Sequence, residues 1–265
     1  MALRLATWNI NSVRLRIDNV RRFIAEQQPD VLCLQETKAQ DEVFPREAFT
    51  ALGYRHQLVH GMKGYNGVAV LSRIDLAESS TQNWCRRQDC RHGIVRLPGG
   101  IELHNLYIPA GGDIPDPAAN PKFAHKLQFL DELTAWFASA RQAAQPMILV
   151  GDLNIAPLES DVWSHKQLLT VVSHTPVEVA KLDALQASAR FVDAVRRFIP
   201  PEERLYSWWS YRARDWEASD RGRRLDHIWV TPPLQARLGA ASVHRSLRGW
   251  EKASDHVPVM VTLDG

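Results

Sequence analysis

The sequence predicts a layered α/β domain with a mixed sheet or sheets. Short runs rich in Val, Ile and Leu, most of them bounded by Gly, Pro or Asp, recur along the chain as candidate strands. Segments with helical periodicity and clear start signals separate several of them. No low-complexity tract, linker or fixed-period repeat interrupts the 265 residues, so a single domain spanning 1–265 is expected.

The candidate strands, in order, are 3–8 (LRLATW), 31–34 (VLCL), 67–72 (GVAVLS), 101–107 (IELHNLY), 147–151, 225–230 (LDHIWV) and 257–263 (VPVMVTL). Residues 17–27 read as a helix with Ile17, Val20 and Ile24 on one face, closed by Pro29. Asn120-Pro121 fits a cap followed by proline at the first helical position, with Phe123, Leu127, Leu130, Thr134 and Phe137 as the core-facing stripe. The stretch TPVE predicts a capping box: Thr175 caps, Pro176 opens the helix and Glu178 reaches back.

Composition narrows the class. With 45% hydrophobic and 23% charged residues the chain is globular rather than disordered. Its three cysteines, Cys33, Cys85 and Cys90, lack metal-type spacing and cannot all pair, which suggests free thiols in a reducing compartment. The start lacks the apolar region of a signal peptide, and no run approaches the roughly 18 apolar residues of a membrane span. A cytoplasmic protein with no membrane partner is expected, and a monomer, because no long apolar seam is evident. Net charge is only +2, yet arginine clusters at 14–22, 85–91, 211–216 and 220–224. Such local stripes are either solvated faces or contacts for a polyanion.

The chemistry lies at strand ends. Asn9 and Asn11, Glu36, Tyr107, and Asp152 and Asn154 follow the C-terminal ends of their strands. Asp226 and the pair Asp255-His256 instead lie at the start of theirs. If the last two strands run opposite to the others, all six groups meet at one edge, where ligands bind in α/β sheets. Singly, each has a plain explanation: an Asx turn for Asp152 and Asn154, a surface carboxylate for Glu36, a rim aromatic for Tyr107, a cap for His256. Six together call for another. Carboxylates and amides without a Cys/His set suit a hard divalent cation, Mg²⁺ with Mn²⁺ able to substitute. No P-loop, nucleophile elbow or zincin sequence is present. A cation, a positioned water and groups that stabilise added charge suffice to hydrolyse a phosphate ester. Neighbours in extended chain point to opposite faces, so Asp226 is better placed than Asp255 to orient the ring of His256.

These residues resemble a known family. The stretches WNINSVR, LQETK, GYNGVAVLSR, NLYIPAGG, GDLNIAP, RLDHIWV and SDHVPV stand in the order found in the exonuclease III and abasic-site endonuclease family, of the endonuclease/exonuclease/phosphatase superfamily. The resemblance runs from about residue 3 to 263. It implies a four-layer sandwich, two mixed β-sheets packed face to face with helices outside. It implies metal binding by Asn9, Glu36 and Asp255, and water activation by Asp152 with Asn154. Those two could instead ligate a second cation, so one or two ions remain open. Tyr107 resembles the phenol near the phosphate or leaving oxygen, His256 the imidazole on the scissile phosphate, and Asp226 its partner.

The resemblance also implies Mg²⁺-dependent repair of double-stranded DNA with abasic sites or damaged 3′ ends. The expected reaction is incision 5′ to the lesion, with 3′-end trimming and 3′→5′ exonuclease action in an open balance. The alternative is a phosphatase or phosphodiesterase of the same fold acting on small phosphorylated molecules. Tyr206, Trp208, Trp209 and Tyr211, beside Arg212 and Arg214, form either core or a stacking surface for sugar or base. Trp208 resembles the aromatic lining the abasic-sugar pocket, Leu225 abuts it, and Arg91 resembles a backbone-contacting arginine. Asn11, Lys38 and Tyr65 match other substrate-side positions. Two departures stand out: Arg223, where some relatives carry a bulky aromatic, and the insert 157–175, which matches no common motif.

Overall fold

A computed structural model describes residues 2–265. Its strands are β1 Leu3–Asn9, β2 Val31–Gln35, β3 His56–His60, β4 Val68–Ser72, β5 Glu78–Thr81, β6 His92–Leu97, β7 Ile101–Tyr107, β8 Met147–Asp152, β9 Val192–Asp193, β10 Trp208–Trp209, β11 Gly222–Arg223, β12 Asp226–Val230, β13 Leu238–Val243 and β14 Val259–Leu263. They form two six-stranded sheets, β13-β14-β1-β2-β4-β3 and β5-β6-β7-β8-β12-β9, and a β10-β11 ribbon. Each large sheet is mixed, with one parallel pair at its centre, β1 with β2 and β7 with β8.

The strand sequences explain the layering. Leu5, Val31, Cys33, Ile148, Val150, Ile228 and Val261 face inward and form one core between the sheets. Their alternates turn the other way: Ala6, Trp8, Leu32 and Leu34 pack with Val20, Phe23 and Ile24 of the helix Ile17–Gln27. On the far side Leu106, Met147 and Leu149 pack with Phe129, Leu133, Leu182 and Leu185 of the helices Pro121–Ala140 and Pro176–Ser188. Strands buried on both faces read as unbroken apolar runs, which is why they were visible in sequence. The outcome is the expected helix–sheet–sheet–helix sandwich. Among the described residues no helix is long and apolar enough to cross a membrane.

Both predicted caps are present: the Asn120 side chain accepts from the Lys122 N–H, and Thr175 and Glu178 close a capping box. The stripe of the long helix is shifted, however. Phe123, Lys126, Phe129, Leu130, Leu133 and Phe137 are buried, whereas Leu127 and Thr134 are only half-buried. Lys126 reads as polar but is drawn inside by an ion pair with Glu178, turning the face by one position. The sequence reading also lacked the four sheet edges β3, β5, β9 and β13, the interior strand β6, whose run is broken by Gly93 and Arg96, and the short β10-β11 ribbon. Edge strands expose one side and carry polar residues, so they lack the apolar run that marks a central strand; β5 is exposed along its whole length.

The topology gathers the strand ends. β14 runs antiparallel to β1, and β12 antiparallel to β8 with Asp226 directly opposite Asp152. The C-terminal ends of β1, β2, β7 and β8 therefore share an edge with the starts of β12 and β14. Beneath that edge Asn105 of β7 donates to the carbonyls of Leu34 (3.1 Å) and Ala69 (2.9 Å), and its Oδ1 accepts from Gln35 (2.6 Å). This buried amide pins one sheet to the other directly below the site.

Candidate active site

The backbone beneath Asp152 is unusually constrained. Gly151 has φ 138°, and a Cβ there would lie 1.9 Å from the Leu106 carbonyl oxygen, so only glycine lets β8 meet β7 at this point. Beyond the strand ends, Asn11, Glu36, Lys38 and Asn154 all have positive φ, between 46° and 54°. Such conformations cost about 1–3 kcal/mol each and persist where surrounding contacts enforce them. Here the contacts are backbone bonds from Ser12 to Glu36 (2.7 Å), Thr37 to Gly67 (3.1 Å) and Lys38 to Asn66 (2.9 Å).

Asp152 is the centre of the cluster. Its Oδ1 accepts the Asn154 backbone N–H at 2.9 Å, and its Oδ2 accepts from Asn9 Nδ2 at 2.8 Å and Asn154 Nδ2 at 3.2 Å. The same Asn9 nitrogen reaches Glu36 Oε1 at 3.0 Å, where the Tyr107 hydroxyl also donates at 2.8 Å. His256 lies on the opposite side, Nε2 3.6 Å from Asp152 Oδ2 and Nδ1 2.8 Å from Asp226 Oδ2. Asp226, not Asp255, thus orients the imidazole. Asp255 instead accepts from Asn11 Nδ2 and Trp208 Nε1, each at 3.0 Å.

Electrostatics separates the groups. Burial pushes Asp152 up to about 7, against the attraction of His256 and with help from the nearby Asp226 and Glu36 charges. Burial would lower His256, but Asp226 and Asp152 outweigh it and raise the imidazole to about 10. Burial also works against Glu36, yet Lys38 and the bonds from Asn9 and Tyr107 hold its carboxyl below the usual range. Tyr107 is held neutral, its pKa raised by burial and the neighbouring carboxylates.

Two places could hold a cation. Asp152, Asp226 and His256 offer ligand atoms within 4.8 Å of one another. The charged imidazole and its bond to Asp226 make that trio a poor cage for a positive ion. The second place is the oxygen-rich side formed by Glu36, Asn11 and Asp255. The Lys38 ammonium already lies there, 2.8 Å from Glu36 Oε2 and 2.5 Å from Asn11 Oδ1, so this side accepts positive charge. Asn9, expected as a ligand, has both ends of its amide engaged: Nδ2 bridges the two carboxylates and Oδ1 accepts the Asn11 N–H at 3.1 Å. Its geometry is that of a bridge holding Glu36 and Asp152 in place.

Above the cluster opens a cavity of about 620 Å³ lined by Glu36, Tyr107, Asp152, Asn154, Asp255 and His256 on its floor and by Trp208, Arg223 and Leu225 on its wall. A second, about 560 Å³, adjoins it at Tyr107 and carries Tyr65 and Arg91. Arg91 stacks over Tyr107 and pairs with Asp89 at 2.5 Å. The aromatic segment divides: Tyr206 and Trp209 are core, Trp208 faces the cavity, and Tyr211 is exposed. Asn11 and Lys38, expected on the substrate side, belong to the charged floor.

Several supporting residues escaped the sequence reading. Ser207 Oγ accepts the N–H groups of Leu225 and Asp226 at 3.0 Å each. Ser254 Oγ donates to the Asn9 carbonyl at 2.7 Å, and Trp8 Nε1 to the His256 carbonyl at 3.0 Å. The insert contributes Trp163, Val172 and Ser173 to the cavity wall. Lys126 ties wall to floor: its ammonium donates to the Asn154 carbonyl at 2.8 Å and to Glu178 at 2.5 Å, and Glu178 accepts the Ser173 N–H. A lysine within an apolar helical stripe, three positions from Phe123 and Phe129, was the available signal.

Comparison with known proteins agrees with this geometry. Residues 6–256 match the Endonuclease/Exonuclease/phosphatase family. Exodeoxyribonuclease III of Haemophilus influenzae is 30% identical over 268 residues, covering 97% of this chain and 98% of that protein. An AP endonuclease from Archaeoglobus fulgidus superposes with a TM-score of 0.92 at 32% identity, over 99% of this chain and 100% of the other. The 3′ phosphatase NExo from Neisseria, solved bound to a product DNA hairpin, gives 0.91 at 29% identity over 99% and 100%. The chain therefore belongs to the endonuclease/exonuclease/phosphatase family, within its exodeoxyribonuclease III and AP endonuclease branch, and is a hydrolytic nuclease.

Proposed function

We propose that this nuclease is a Mg²⁺-dependent DNA repair phosphodiesterase that incises duplex DNA 5′ to an abasic site, leaving a 3′ hydroxyl, and trims blocked 3′ ends. The observation that carries the reading is the Asp226–His256–Asp152 array beside Glu36, on the floor of a cavity walled by Trp208 and Leu225. Acidic Asp255 and Glu36, with Asn11, would hold one cation. Both oxygens of Asp152 already accept hydrogen bonds, which favours a water-handling role over a second metal. When bound, the cation would polarise the phosphoryl oxygens and offset the charge that builds on them.

The protein's own residues supply the rest. Asp152, raised to about 7, accepts a proton from the attacking water near neutral pH, while Asn154 and Asn9 fix its plane. His256, protonated and locked by Asp226, presents Nε2–H to a phosphoryl oxygen, a charge-assisted bond of about 1.5–3 kcal/mol. Tyr107, held neutral, keeps a proton available beside the leaving 3′ oxygen. Trp208 and Leu225 would give an apolar wall for the sugar, and Arg91, in the adjoining cavity, would contact the DNA backbone. A monomer in the cytoplasm fits this work.

The test is a labelled duplex with one abasic analogue, an intact duplex, a nicked duplex ending in 3′-phosphate and a small phosphorylated metabolite, with Mg²⁺ and with chelator. Magnesium-dependent incision at the lesion is the expected result. Turnover of the metabolite with the three duplexes untouched would replace this reading with a small-molecule phosphatase.

A further inference from the structure

We propose that the 157–175 insert carries a metal site of its own, in which His165 and His174 bind a borderline transition ion of the Zn²⁺ class and Asp183 of the following helix completes the set. The site is separate from the catalytic floor and does not rest on the DNA-phosphodiesterase reading.

Three places in the chain bring the donors together. His165 opens the short helix His165–Leu168, His174 directly precedes the Thr175 cap, and Asp183 lies on the helix Pro176–Ser188. All three line a cavity of about 330 Å³ that shares no residue with the reaction cavity, and Leu169, Val179 and Ala180 give it apolar sides. Asp183 enters no ion pair among the described residues. His165 Nδ1 stands 2.8 Å from His174 Nε2, with the two rings at 80° to one another. His174 is buried, and its Nδ1 donates to the Ala156 carbonyl at 2.5 Å, which leaves the lone pair on Nε2, toward His165. The other ring nitrogen of His165, Nε2, lies 3.5 Å from Glu159 Oε1.

Each imidazole thus has the outer partner that a metal-bound histidine uses to fix its ring: a backbone carbonyl for His174 and a carboxylate for His165. Two nitrogens about 2.0–2.1 Å from a tetrahedral Zn²⁺ stand roughly 3.3 Å apart, so the pair has to open by only about 0.5 Å. His165, partly exposed and on a single helical turn, supplies that movement. On binding, Nδ1 of His165 loses its proton and the ring keeps one on Nε2, facing Glu159. Asp183 meets the ion from the opposite element, directly or through a water. Two imidazoles with a carboxylate suit Zn²⁺, Co²⁺ or Ni²⁺ and disfavour Mg²⁺, the reverse of the oxygen-rich floor. An ion held here would join the short helix of the insert to the segment that follows Ser173, closing the insert on itself.

The experiment is equilibrium dialysis of the full chain against Zn²⁺ with Mg²⁺ in excess, paired with long-range proton–nitrogen correlation spectra of the histidine rings. The wild-type protein should hold one Zn²⁺ whose binding Glu36→Gln and Asp152→Asn leave unchanged, which separates it from any ion on the floor. At saturation the Nδ1 resonance of His165 and the Nε2 resonance of His174 should move to metal-bound positions. His165→Gln, a change at a partly exposed position, should keep the wild-type fold by circular dichroism and bind this ion at least about 10-fold more weakly; Asp183→Asn should weaken it less. Equal Zn²⁺ affinity in wild type and His165→Gln, ring resonances of both histidines unmoved at saturation, or no Zn²⁺ bound would each overturn the proposal and leave the assignment of the floor intact.

Discussion

The floor and the wall of the cavity are built differently. Every floor residue follows or precedes a central strand, and the side chains bond to one another: Asn9 to Glu36 and Asp152, Tyr107 to Glu36, His256 to Asp226. The wall hangs on a two-stranded ribbon and the 157–175 insert, tied to the floor by the Trp208–Asp255 hydrogen bond and through the buried Lys126–Glu178 pair. On the proposed reading, the sheets fix where the phosphate is attacked, and a separately supported wall meets what is attached to it. Changes to the floor should abolish turnover, and changes to the wall should redirect it.

The largest separation is expected from His256→Asn, which removes the charged donor while leaving the wall intact. Single-turnover incision should fall by about 10²-fold or more while the preference between substrates stays. A changed preference with turnover preserved would erase the division. Asp226→Asn should lower turnover less and act mainly through pH. With Asp152 needed as base and His256 as acid, activity should rise as pH passes about 7 and fall as it passes about 10. Without the Asp226 charge the alkaline limb should move to lower pH; an unmoved limb would mean that another group sets it.

Lys126→Met tests the tether. It strands the Glu178 carboxylate in the core, which should cost about 3–5 kcal/mol by denaturant titration. It should also loosen the insert, so KM for lesion duplex rises more than kcat falls. Trp208→Ala should weaken lesion binding by about 1–3 kcal/mol, read by fluorescence anisotropy, with incision chemistry largely kept. Stability itself should fall as pH drops below about 6.5. His92, His104 and His227 are buried with their pKa values lowered, His227 to about 3, so the unfolded chain takes up protons that the folded chain refuses. Thermal melts across pH 4–8 would check this, and a flat profile would count against it.

How legible each region was follows from the same contrast. Central strands buried on both faces announced themselves, β6 with its Gly93 and Arg96 excepted, and because side chains alternate, the strand-end residues could be assigned to one pole once two strands were reversed. Glu36, Asp152, Asp226 and His256 needed no more than that. The wall has no such regularity. Arg223 and Arg224 are neighbours, yet one lines the cavity and the other is buried in ion pairs. Period-two alternation says that such neighbours part, but not which of them faces the cavity. Ser207, Ser254 and Lys126 went unseen because hydroxyls and one lysine gain their roles from partners distant in sequence.

The measurement that bears most directly on the floor as the catalytic element is a paired one on Asp152→Asn: duplex binding and single-turnover incision on the same abasic-site DNA. Binding close to that of the wild-type protein with incision lowered by at least about 10²-fold is the expected result. Incision at the wild-type rate would contradict the role of Asp152, and with it the assignment of the strand-end cluster as the catalytic centre.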